Sequence, residues 1–194
     1  MYRTRIKSLT DWKLRANRKP LVILGARQVG KTWLIREFGK TEYRKMVYIN
    51  FEDNDAPKDI FQSDFNIDRI ITLLNAYSGL KITAEDTLIV FDEIQTAARG
   101  ITALKYFYEK APQYQIIAAG SLLGITIHPE ESFPVGKVEF LTLQPMNFIE
   151  FLLANDEVSL VELIENKEWE LLNTFKSKLI NFLRYYFFIG GMPE

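Results

Sequence analysis

The chain has 194 residues, 47% of them apolar and 25% charged, with no Cys and one His. This suits one domain with an ordinary core, and it excludes disulfides, zinc–thiolate and iron–sulfur sites, thiol catalysis and any multi-His metal centre. The formal charge of −1 hides an asymmetry: residues 1–50 carry 13 Lys/Arg against 3 Asp/Glu (+10), and residues 51–194 carry 11 against 22 (−11).

A polyanion should therefore meet the N-terminal part; the alternative is that the two parts neutralise each other across an internal contact. No apolar run approaches the ~18 residues of a membrane span. The opening Met-Tyr-Arg-Thr-Arg-Ile-Lys has charge but no apolar leader core, so a cytoplasmic location is expected.

In chain order, Arg5 to Arg18 reads as a basic helix with Ile6, Leu9 and Leu14 on its apolar side, stopped by Pro20. Leu21 to Leu24 is apolar on both faces and ends at Gly25, as in a buried parallel strand. A helix is expected from about Lys31 to Phe38, and a second strand at Met46–Ile49, ending at Asn50. Two helical stretches follow, the second near Ile67 to Tyr77. Thr87–Phe91 is the third strand and runs into Asp92-Glu93. A helix from Ile101 to Lys110 leads to strand four, Gln115–Ala119, closed by Gly120-Ser121. Val138–Leu143 is the fifth strand, and Phe148 begins a helix. From Val158 the chain reads as helix, with Leu171, Phe175, Leu179, Leu183 and Tyr186 forming one apolar stripe. Tyr185 to Phe188 is expected to pack in the core or against a further domain. His128, Glu130 and Glu131 read as an exposed loop.

Strands alternating with helices imply an α/β fold, a parallel sheet with helices on both faces. Such sheets bind ligands at the carboxyl ends of their strands. Gly25, Asp92-Glu93 and Gly120-Ser121 all stand there.

Gly25-Ala26-Arg27-Gln28-Val29-Gly30-Lys31-Thr32 fits G-x-x-x-x-G-K-[ST] at every position, between a buried strand and a helix. Gly25 and Gly30 are expected to permit backbone angles that a Cβ would hinder, so that the loop curls its N–H groups inward. The following helix turns its free N–H groups, including that of Trp33, toward the same point. The Trp33 ring is expected to pack on the sheet. Lys31 adds a charge for the β- and γ-phosphates, and Thr32 has a hydroxyl for Mg²⁺. Asp92 is the second metal candidate and Glu93 the general base. Ser121 can sense the γ-phosphate or serve as a helix cap; Asn50 is a weaker candidate of the same kind.

These segments together resemble a family of prokaryotic AAA-type P-loop ATPases, many of which carry a C-terminal nuclease-like domain of unknown function. Val47 to Asp53, Phe91-Asp92-Glu93-Ile94-Gln95, Ala119 to Gly124, Leu143 to Leu152 and Gly190 to Glu194 add to the likeness, which spans nearly the whole chain. The resemblance implies an AAA-like P-loop NTPase core with strand order 5-1-4-3-2 and with ATP and Mg²⁺ as cofactors. It places the metal role on Thr32 and Asp92, hydrolysis on Glu93 and sensing on Ser121. It further implies residues 1–155 as the core and 156–194 as a helical segment leading to a lid, a C-terminal domain or a protein partner outside this chain. A homo-oligomer is a further expectation. The family usually shows Gly-Arg before strand five, where this chain has Gly136-Lys137; Lys lacks the planar bidentate geometry of an arginine finger. Arg99 and Arg184 are the other candidates, and slow turnover is expected.

The rival classes are weaker. A GTPase needs Asn-Lys-x-Asp, and Asn166-Lys167-Glu168-Trp169 lacks the Asp. A small-molecule kinase wants an Arg-rich lid, but no Arg stands between Ser121 and Arg184. An ATP-binding interaction or DNA-associated module would use the basic N-terminus, which carries no base-reading signature.

Overall fold

The computed structural model describes residues 2–53, 56–121 and 136–193, with the backbone alone at 56–58 and 121. His128, Glu130 and Glu131 lie outside the described residues. Five strands form one parallel sheet: β1 (Leu21–Gly25), β2 (Lys45–Asn50), β3 (Thr87–Asp92), β4 (Gln115–Ser121) and β5 (Glu139–Thr142). Their spatial order is β2-β3-β4-β1-β5, the expected 5-1-4-3-2 read from the other edge.

Alternation along each strand divides the core between the two faces. Val22, Val47, Ile49, Ile89, Phe91, Ile116 and Ala118 face one side, under α3 (Ile67–Ser78) and α4 (Gly100–Lys110). Leu21, Ile23, Leu88, Val90, Ile117 and Ala119 face the other, under α1 (Ile6–Lys13) and α2 (Lys31–Glu42). With both faces covered, β3 is buried at all six positions, which is why it reads as an unbroken apolar run. Phe91 meets Phe51, Phe61 and Phe107 at ring separations of 5.8, 5.5 and 6.2 Å, and this cluster sets the strand end from which Asp92 projects.

The first helix is shorter than expected. It ends at Lys13, its buried residues are Leu9 and Trp12, and Leu14 is 77% exposed. Trp12 takes the place assigned to Leu14, with its ring 6.5 Å from Phe38 of α2 and its indole N–H donating to the Lys19 carbonyl at 2.8 Å.

The C-terminal stretch is broken as well. It forms α5 (Phe148–Ala154), α6 (Val158–Glu165), α7 (Trp169–Thr174) and α8 (Lys176–Ile189). Lys167 takes a left-handed backbone (φ 58°) between α6 and α7, and Phe175 falls in the junction of α7 and α8. The five-residue stripe is therefore not one face: Leu171 and Phe175 are exposed, and Leu172 is buried instead. The aromatic run divides too. Tyr186 packs against Phe148 and Phe151 and donates to the Met146 carbonyl at 2.8 Å, while Tyr185, Phe187 and Phe188 are exposed.

Part of the charge asymmetry is neutralised within the chain. Arg3–Glu150, Arg15–Glu139, Arg27–Glu52 and Lys45–Asp86 all join the basic first fifty residues to the acidic remainder. Among the described residues, no helix is long and apolar enough to cross a membrane.

Candidate functional site

β1 delivers the chain to Gly25, and α2 departs from Lys31; the five residues between them form the loop. Gly30 caps α2 with φ 90°, as the left-handed expectation requires. Gly25 is a correction, because its φ is not in the left-handed region. Space is what demands glycine there: an added Cβ would lie 2.7 Å from the Leu143 carbonyl oxygen and 2.9 Å from Val29 Cγ1. The second left-handed residue is Gln28, at φ 63°. No side chain caps α2, so its first-turn N–H groups, from Lys31 to Trp33, are open to an anion. The Trp33 ring packs against the core beneath α1 and α2.

Lys31 is buried, and its ammonium donates to the carbonyls of Gly25 at 3.0 Å and Ala26 at 2.8 Å. Burial lowers its pKa, while Glu93 and then Asp92 oppose the shift. The cation thus sits partly desolvated between its own loop and two carboxylates.

Parallel pairing brings Asp92 to the same end of the sheet. Its Oδ2 accepts from the Thr32 hydroxyl at 3.3 Å, and its Oδ1 from the Glu93 N–H at 3.0 Å. Tyr48 donates its phenol to that same Oδ2, an interaction the sequence reading missed. Burial raises the Tyr48 pKa first, and the Asp92 carboxylate raises it further. The signal available was position: Tyr48 stands two residues before Asn50, on the same side of β2, and Asn50 is the register partner of Asp92.

Glu93 turns the chain out of β3 with a left-handed backbone (φ 51°), and its carboxylate accepts from the Gln95 amide. Asn50 is occupied locally: its amide donates to Asp53 at 2.7 Å and its oxygen accepts from the Glu52 N–H at 2.9 Å. The Ser121 backbone pairs with Gly25 at the end of β4; its side chain lies outside the described set.

The three finger candidates lie in different places. Lys137 pairs with Glu109 at 3.0 Å and precedes β5, so the register puts it at the amino ends of the strands, opposite the loop. Arg99 donates to the Gln62 carbonyl at 2.7 Å and stacks 4.2 Å over Phe65. Arg184 lies exposed on α8.

Asp92 and the Thr32 hydroxyl offer hard oxygen donors suited to Mg²⁺. Among the described residues, no group of three His, Cys, Asp or Glu could hold a metal by itself.

A family profile described as "AAA domain" matches residues 17–152. No curated protein matches the chain. Three solved structures are similar to it. AMPPCP-bound DnaA from Aquifex aeolicus has 18% identity and a TM-score of 0.48, over 79% of this chain and 48% of that one. Aeropyrum pernix ORC1 in complex with DNA has 14% identity and a TM-score of 0.48, over 81% and 50%. C. elegans PCH-2 has 16% identity and a TM-score of 0.45, over 82% and 44%. The chain spans half or less of each of these relatives.

Proposed function

The chain belongs to the AAA domain family, and from that premise we propose that it binds ATP with Mg²⁺ at the Gly25–Thr32 loop and hydrolyses it to ADP and phosphate. The observation that carries this is the meeting of Thr32 and Asp92 at 3.3 Å beside the buried Lys31 ammonium.

The loop N–H groups and the α2 N-terminus hold the β- and γ-phosphates. The Lys31 ammonium exchanges the Gly25 and Ala26 carbonyls for phosphate oxygens, regaining charge-assisted partners in a poorly solvated place. Thr32 and Asp92 would hold Mg²⁺, which when bound neutralises developing phosphate charge. Glu93 orients a water and takes its proton as the water oxygen attacks the γ-phosphorus. The bond from that phosphorus to the bridging oxygen breaks, and ADP leaves. Ser121, next to Gly25 in register, is the γ-phosphate sensor.

Turnover by the chain alone is slow on this reading, because Gln95 holds the Glu93 carboxylate and a finger must come from a neighbouring copy. Residues 1–155 are the nucleotide core, and residues 156–194 transmit its state to a C-terminal domain or partner. We place the protein in the cytoplasm. A DNA-associated role is the lesser reading, since part of the basic charge is paired within the chain and the basic N-terminus carries no base-reading signature.

Calorimetric titration of the chain with ATP and GTP, with and without Mg²⁺, tests the site. Mg²⁺-dependent ATP binding that disappears in Lys31→Ala is expected. Equal binding by Lys31→Ala would overturn the assignment.

A further inference from the structure

The N-terminal segment places a buried cation behind the phosphate loop. Arg3 is 2% exposed, and its guanidinium reaches three separate parts of the chain. Nη1 donates to the Val29 carbonyl at 2.8 Å, and Nη2 to the Gln144 carbonyl at 2.5 Å. Nε lies 3.5 Å from Oε1 of Glu150, which is itself 3% exposed. That Oε1 also accepts from the Thr4 N–H at 2.7 Å and the Thr4 hydroxyl at 2.8 Å. Glu150 Oε2 accepts from the Asn147 N–H at 3.2 Å, which closes the capping box of α5. One buried ion pair thus ties the N-terminus, the phosphate loop and α5 together. A buried charge that loses its partner is strongly disfavoured, so each member holds the other in place.

The contact with Val29 has a geometric consequence. Val29 stands between the two left-handed residues of the loop, Gln28 and Gly30. Among the described residues every peptide bond is trans. In a planar trans peptide, the carbonyl of one residue and the N–H of the next point in opposite directions. Holding the Val29 carbonyl toward Arg3 therefore turns the Gly30 N–H away from Arg3. If that peptide flipped, the loop would offer an anion a carbonyl dipole in place of a donor.

We propose that Arg3 is a positioning residue for phosphate binding: it holds the Val29 carbonyl so that the Gly30 N–H donates to a β- or γ-phosphate oxygen, and Glu150 sets where Arg3 stands. This rests on the nucleotide-site reading above and deepens it, because it makes the donor geometry of the loop depend on α5, the first helix after the sheet. A shift of α5 that draws Glu150 away loosens Arg3 and weakens the grip on the polyphosphate.

The test follows the Gly30 amide resonance of the ¹⁵N-labelled 194-residue chain during titration with inorganic pyrophosphate and Mg²⁺. The wild-type chain binds, and the Gly30 proton moves downfield at saturation. Arg3→Met binds about tenfold more weakly, the scale of one lost hydrogen bond to a charged group, and its Gly30 shift at saturation is largely lost. Arg3→Lys keeps the charge without the fork and falls between the two. If Arg3→Met is unfolded, Glu150→Gln carries the test; it keeps the size of the side chain but removes the charge that faces Arg3 and one of its two acceptor oxygens, and a reduced Gly30 shift is expected. An Arg3 that only stabilised the fold would lower the melting temperature and leave the saturated Gly30 shift at the wild-type value, and that result overturns the proposal. A wild-type chain that bound neither pyrophosphate nor ATP would overturn the nucleotide reading itself, and this inference with it.

Discussion

Thr32 and Asp92 stand 60 residues apart in the chain, yet the Thr32 hydroxyl lies 3.3 Å from Asp92 Oδ2. Thr32 stands in the first turn of α2, after β1, and Asp92 ends β3; β4 separates β1 from β3, so the contact spans two strand pairings and depends on both registers. Tyr48 donates to the same carboxylate oxygen from β2. A cation held by Thr32 and Asp92 competes with the Tyr48 phenol for that oxygen.

That competition gives a prediction about metal dependence. Tyr48→Phe removes one competitor and leaves Thr32 and Asp92 in place, so half-saturation with Mg²⁺ in nucleotide binding should fall or stay level. Asp92→Asn should raise it by about tenfold or more, since a charged ligand is lost. Mg²⁺ titrations at fixed ATP check both. Asp92→Asn with an unchanged Mg²⁺ requirement would remove Asp92 from the metal role.

Gly25→Ala tests the corrected role of that glycine. The new Cβ would meet the Leu143 carbonyl oxygen at 2.7 Å, where only backbone movement can make room. A loss of about 1–3 kcal/mol of stability is expected, with weaker nucleotide binding because the loop origin shifts. Chemical denaturation and ATP titration measure the two effects. A stable Gly25→Ala with normal affinity would contradict the close-packing account.

The break in the C-terminal helices gives a paired test. Leu172 is 6% exposed and Leu171 54%. Leu172→Ala should cost about 2–4 kcal/mol, and Leu171→Ala should stay within about 0.5 kcal/mol of wild type. One uninterrupted helix with Leu171 on its apolar stripe would reverse that order in the denaturation midpoints.

Asp86 provides a pH test away from the site. Its carboxylate accepts from the hydroxyls of Thr83 and Thr87, and Lys45 lies 3.4 Å away. The hydroxyls, foremost that of Thr83, hold its pKa below the usual carboxylate value. A carboxylate depressed in the folded state adds stability that is full above its ordinary pKa and is lost as pH falls through the depressed one. Melting temperature against pH should therefore fall less steeply on the acid side in Asp86→Asn than in wild type. Parallel curves would show that these contacts do not survive in solution.

Much of this fold was legible because its determinants are local. Strands β1, β3 and β4 lie in the interior of a parallel sheet and β2 at its edge; each is a largely apolar run bounded by polar or glycine residues, and the expected ends fall within about two residues of those found. The loop pattern is likewise contiguous. Tyr48 and Arg3 were not legible, because their partners are chosen by register and by long-range packing: Arg3 reaches Gln144 across 141 positions. The helix breaks were missed for a related reason. Four-residue spacing alone looks helical through Phe175, and only the left-handed Lys167 and the turn at Phe175 show where the chain leaves the helix. At Gly25 the pattern suggests an unusual backbone angle where the structure shows a close approach to Leu143, because both call for the same residue.

The most direct test of the account is Mg²⁺-dependent ATP turnover per chain over a range of protein concentrations, with Lys31→Ala and Glu93→Gln beside wild type. The account predicts slow turnover that rises with concentration as neighbouring copies complete each other's sites. It also predicts that Glu93→Gln binds ATP without turning it over and that Lys31→Ala does neither. A wild-type rate at background, equal to that of Glu93→Gln at every concentration, would contradict hydrolysis by this chain and leave a nucleotide-binding module.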